Sequence, residues 1–80
     1  MSKQITSKNL PNLGVEPYKR FDKAEKLVYA SYSFFNGSIL SIDFDMNGAA
    51  ELILYNGYKI PNNSELEVCD GNLYIKIPAV

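Results

Sequence analysis

The chain has 80 residues, 46% of them hydrophobic and 21% charged, with a formal net charge of −1. That apolar share is ordinary for a folded domain and excludes a disordered one, and the length allows one domain at most. There is no histidine and only one cysteine, Cys69. An imidazole base, a Ser-His or Cys-His nucleophile pair and an internal disulfide are therefore all excluded.

The charge is unevenly spread. Residues 1–26 hold six Lys/Arg against three Asp/Glu, a net of +3, and residues 27–80 hold two against six, a net of −4. A basic arm thus precedes an acidic body. No apolar run approaches the ~18 residues that would span a bilayer as a helix. The stretch MSKQITSKNLPNLG contains no apolar core of a signal peptide. With a lone cysteine, these features lead us to expect a cytoplasmic protein with no membrane role.

In chain order, the arm comes first. Pro11, Gly14 and Pro17 favour an extended path up to Pro17. The following PYKRFDKAEK is compatible with a short helix over 17–26, with Pro17 in its first turn and Asp22 and Lys26 at i, i+4. Beyond it, Asn36-Gly37, Asn47-Gly48, Asn56-Gly57 and Asp70-Gly71 interrupt runs rich in Tyr, Phe, Ile and Val. Such dipeptides are strong hairpin signals, because Asn and Asp tolerate positive φ and Gly adopts it freely.

A two-residue loop at Asn36-Gly37 pairs Phe35 with Ser38, Ser33 with Leu40, Ser31 with Ile42 and Tyr29 with Phe44. The expected core face then carries Leu27, Tyr29, Phe35, Leu40, Ile42, Phe44 and Met46. The other face carries Val28, Ala30, Tyr32, Phe34 and Ile39 beside Ser41, Asp43 and Asp45. At Asn47-Gly48 a two-residue loop would bring Glu51 to the core. A three-residue loop with a bulge is expected instead, setting Leu52 and Leu54 inward and Glu51, Ile53 and Tyr55 outward.

Asn56-Gly57 leads into a short YKI stopped by Pro61, an edge or corner piece; a two-residue loop there sets Leu54 beside Lys59. Across Asp70-Gly71 the pairs are Cys69–Asn72, Val68–Leu73, Glu67–Tyr74, Leu66–Ile75 and Glu65–Lys76, with Pro78 ending the strand. The expected fold is mainly β: one domain over 1–80, a small antiparallel meander of five or six strands over 27–80. It forms a curved sheet or small barrel, preceded by the arm.

No catalytic constellation emerges. Asp43, Asp45 and Glu51 form an acidic surface without the closed loop of a cation site. The glycines make neither a dinucleotide fingerprint nor a phosphate loop. Neither cofactor nor metal is expected, and the chain reads as a non-enzyme.

What remains is binding. Tyr32, Phe34, Ile39, Tyr55 and Tyr58 form the expected partner-binding face, since aromatic side chains give large contact area at low rotamer cost. The competing reading covers that face with the N-terminal arm and Phe21. The function this supports is a protein-interaction module, such as a phage- or bacterium-encoded inhibitor or a subunit of an assembly. Its partner would be another protein or a second copy of itself. The alternative is a single-stranded nucleic-acid binder that stacks bases on exposed aromatics and tracks phosphates with Lys19, Arg20, Lys23 and Lys26. The acidic body counts against it.

Overall fold

The computed structural model describes residues 5–77. The first four residues, with Lys3, and the last three, with the strand-ending Pro78, lie outside them. Seven strands follow one another: β1 (Tyr18–Phe21), β2 (Leu27–Ser33), β3 (Ile39–Phe44), β4 (Ala50–Tyr55), β5 (Tyr58–Ile60), β6 (Glu65–Cys69) and β7 (Asn72–Lys76). β1 to β5 form an antiparallel sheet in chain order, and β6 with β7 forms a separate two-stranded ribbon. The sheet is open, with β1 and β5 as its edges. The protein is therefore all-β among the described residues. The segment compatible with a helix is instead the strand β1 and a turn: Tyr18 and Lys19 pair with Ser31 and Ala30 of β2.

Three of the loops share one geometry. Asp22 donates its N–H to the Lys26 carbonyl at 2.9 Å, Phe34 to Ser38 at 2.9 Å and Asp45 to Ala49 at 2.9 Å. In each, the last of the three enclosed residues returns its own N–H to the first carbonyl at 3.0 Å: Glu25 to Asp22, Gly37 to Phe34 and Gly48 to Asp45. That last residue has positive φ, at 62°, 90° and 85° in turn. These are three-residue hairpin loops whose final position is left-handed. Only Asn56-Gly57 and Asp70-Gly71 are two-residue turns with positive φ at both centres.

The three-residue loop at 35–37 corrects the first register. Ser33 pairs with Ile39, Tyr32 with Leu40 and Ala30 with Ile42. One residue of slip turns β2 over from Tyr29 onward. Ala30, Tyr32 and Phe34 join Leu40, Ile42 and Phe44 in the core. Tyr29 goes to the other face, and Phe35 stands in the loop at 94% exposure. Met46 is likewise exposed in its loop.

The second register is corrected as well. Ile42 pairs with Ile53 and Leu40 with Tyr55, while Phe44 pairs with Ala50 across a bulge. The bulge is present and Glu51 is turned out, both as expected, but the extra residue is Glu51 itself, within β4. Ile53 is fully buried, and Leu52 and Leu54 face away from the core. The physical reason is that the extra residue of a bulge removes the conflict that a regular ladder would create. A second bulge separates the Arg20–Tyr29 and Phe21–Leu27 pairs. It lets Leu27 enter the core although Tyr29, two residues on, does not. The later pairings hold as expected: Leu54 beside Lys59, and all five pairs of the β6–β7 hairpin.

The buried face of the sheet is covered by two pieces. Ile5 and Leu13 of the arm are buried in the core cluster, with Leu10 and Val15 packed against it. Ser7 donates to the Gly48 carbonyl at 2.8 Å and Ala50 to the Ile5 carbonyl at 3.2 Å, so the arm is stitched to the 46–48 loop. Gly48 has no Cβ where one would lie 2.6 Å from the Ser7 Oγ. The β6–β7 ribbon supplies Leu73 to the same cluster, with Leu66, Val68 and Ile75 packed on it. Burying each such Leu or Ile contributes about 1.5–3 kcal/mol. A two-stranded ribbon needs this contact, because alone it is barely stable in water.

Candidate interaction surface

The opposite face of the five-stranded sheet has nothing packed on it among the described residues. The pairing places its residues in rows. Arg20, Tyr29, Asp43 and Leu52 run across β1 to β4. Tyr18, Ser31, Ser41, Leu54 and Lys59 run across all five strands. Ser33 and Ile39 form a third row. Tyr18 and Ile39 are exposed, and Tyr29, Leu52 and Leu54 are half-buried without joining the core cluster.

Tyr29 is the best-supported side chain here. The Arg20 guanidinium lies over its ring at 5.4 Å from the centroid, and Tyr18 meets it edge-on at 6.4 Å. Its hydroxyl donates to the Ser41 Oγ at 3.3 Å. Cation–π and edge-to-face contacts both hold a ring in place. A shallow open depression lies beside it, lined by Arg20, Val28, Tyr29, Asp43, Phe44, Glu51 and Leu52. Val28 and Glu51 are the extra residues of the two bulges, so the depression marks where both ladders bend.

The expected partner-binding residues divide. Tyr32 and Phe34 are buried, at 1% and 6% exposure, and their outward assignment is overturned by the β2 register. Tyr55 is half-buried against the core and its hydroxyl donates to the Ser38 Oγ at 3.2 Å. Tyr58 is exposed at the β5 edge. Only Ile39 stands on the open face as expected. The arm does cover the aromatic face, but with Leu13 and Ile5; Phe21 is exposed.

The acidic residues divide too. Asp43 and Glu51 line the depression. Asp45 turns into its own loop, accepting the N–H groups of Asn47 and Ala49 at 2.9 Å each. Among the described residues no group of three or more His, Cys, Asp or Glu is placed to hold a metal ion. The basic residues Lys19, Arg20, Lys23 and Lys26 all belong to β1 and the turn that leads into β2. Lys19 and Arg20 point to opposite faces, and the Lys26 ammonium donates to the Met46 carbonyl.

Tyr18, Tyr29, Leu52 and Leu54 are the open-face residues that the sequence reading assigned elsewhere or passed over. A signal for Tyr29 was available. It shares parity with Ser31 and Ser33, whereas Ala30, Tyr32 and Phe34 make the apolar parity of β2.

No helix among the described residues is long and apolar enough to cross a membrane. Comparison of the chain with protein-family models, curated proteins and solved structures gives no match.

Proposed function

We propose that the protein is a non-enzymatic protein-interaction module, such as an inhibitor or a subunit of an assembly, whose open sheet face seats on a protein partner. The observation that supports this reading is the uncovered face itself. It carries two tyrosines, one held by Arg20, and three aliphatic side chains, Ile39, Leu52 and Leu54, that stand outside the core cluster among the described residues. Aromatic anchors with an arginine, ringed by serines and single charges, have the composition of interface centres. Asp43 on β3 and Glu51 on β4, between Arg20 on the β1 edge and Lys59 on the β5 edge, supply charge for orientation.

Single-stranded nucleic acid is the competing ligand. Two of the aromatics expected to stack bases are buried, and Tyr29 is already covered by Arg20. The test is retention from lysate on immobilised wild-type protein and on Leu54→Arg, with and without nuclease. A discrete protein held by the wild type after nuclease, and lost on Leu54→Arg, supports the module. Equal retention on both proteins, or retention abolished by nuclease, overturns it.

A further inference from the structure

The free edges of this fold carry opposite charges. The four residues of β1 are all exposed, and among the described residues β1 is hydrogen-bonded on one side only. Every second residue of such an edge aims its N–H and C=O at solvent. Edges are usually blunted. β5 is three residues long and is followed by Pro61, which suits it to ending a sheet. β1 has no proline within it. Its blunting is charge: Lys19 and Arg20 in the strand, with Lys23 and Lys26 in and after its turn, against Asp22 and Glu25.

The two-stranded ribbon has two more free edges. No backbone hydrogen bond joins β6 or β7 to any other described part of the chain. β6 reads ELEVC, with Glu65 and Glu67 exposed and Asp70 in the turn beyond. Glu65 stands across from Lys76, but Glu67 stands across from Tyr74 and has no facing cation. β7 carries Lys76 and no acid.

Charge then decides which edges can meet. β1 against β1 of another copy sets Lys19 and Arg20 against like charge, and β1 against β7 brings no acid. β1 against β6 places Glu65 and Glu67, which share a face, beside one cation, Lys19 or Arg20, and no acid of β1 opposes them. Opposite charges across a ladder stabilise it and like charges oppose it. The contact also turns a marginal two-stranded ribbon into a three-stranded sheet. We propose that the β1 edge of one copy accepts the β6 edge of a second copy as a neighbouring strand. The contact is heterologous, so each joined copy still offers a free β1 or β6, and association continues past the dimer unless a ring closes. This inference uses the edges and shares Arg20 with the open face.

The test is weight-average mass by sedimentation equilibrium, from micromolar to millimolar protein, at low and high salt. The expected result at low salt is a mass at least doubling from 9.0 kDa, and reverting at high salt. Two charge-reversed proteins complete it: Lys19→Glu with Arg20→Glu, and Glu65→Lys with Glu67→Lys. All four positions are exposed, and each variant is checked for an unchanged circular-dichroism spectrum. Each is expected to stay monomeric alone, and their equimolar mixture to associate as the wild type does, because both edge contacts regain opposite charge. A wild type monomeric throughout, association surviving in either variant alone, or a mixture that stays monomeric overturns the proposal.

Discussion

The Tyr32 hydroxyl donates a 2.7 Å hydrogen bond to the Pro11 carbonyl oxygen, tying the N-terminal arm to the buried face of β2. Burial of the ring pushes its phenol up from 10.0 to about 12. The neutral form is therefore the folded form. The stabilisation is fully present below pH 10 and is lost as pH rises through about 12. Between those limits the unfolded phenol ionises and the folded one does not, so stability falls by up to about 1.4 kcal/mol per pH unit. Urea midpoints measured from neutral to strongly alkaline pH are expected to show this slope. Tyr32→Phe should lose about 1 kcal/mol at neutral pH and most of the alkaline slope with it.

Leu13 is 2% exposed, although it lies in an irregular segment. Its burial makes the arm part of the core and not an appendage. Leu13→Ala is expected to cost about 2–4 kcal/mol in chemical denaturation, the range for a core truncation. A change below about 0.5 kcal/mol, the usual size for a surface site, would show that the arm does not dock.

Glu25 occupies the left-handed position that Gly37 and Gly48 fill in the two related loops, with φ of 62°. Asp22 accepts the N–H groups of Ala24 and Lys26 at 2.9 Å each, as Asp45 does in its own loop. The loop is thus held by the same carboxylate device but carries a side chain where none is favoured. Glu25→Gly is expected to raise stability by about 0.5–1 kcal/mol, the relief of a left-handed L-residue less the added chain entropy of glycine. Thermal unfolding of the two proteins side by side reads the sign directly.

Ile53 and Leu54 are neighbours in β4 with opposite fates. Ile53 pairs with Ile42 and Ile60 inside the core, and Leu54 pairs with Ser41 and Lys59 on the open face. Ile53→Arg is expected to unfold the protein, since an unpaired buried charge costs more than the few kcal/mol a small domain holds in reserve. Leu54→Arg should change stability by about 1 kcal/mol or less. Far-ultraviolet circular dichroism and urea titration of both variants test the β3–β4 register, because a slip of one residue would exchange the two outcomes.

Four of the five glycines show how far local signals reach. Asn56-Gly57 and Asp70-Gly71 form the two-residue turns that such dipeptides favour, and the pairings beside them follow from residue counting. Asn36-Gly37 and Asn47-Gly48 are the same chemistry in three-residue loops, because a single left-handed glycine serves either loop length. The dipeptide therefore marks a reversal without stating its register. Ser31 and Ser33 against Ala30, Tyr32 and Phe34 would have resolved β2. Nothing local to β4 revealed that the bulge would fall at Glu51 and so bury Ile53 in place of Leu52 and Leu54.

By itself, the sequence determined the mainly β class, the meander from β2 to β5, the position of its reversals and the register of the last hairpin. These depend on contacts between near neighbours, where turn geometry and alternation act alone. The tertiary structure decided which faces of β2 and β4 are buried. That choice is made by how the arm and the β6–β7 ribbon close over Tyr32, Leu40, Ile42 and Ile53. A one-residue slip changes no local preference but exchanges the inside of the sheet for the outside. The candidate surface is the face left over from that choice, so it became visible only once the core was assembled.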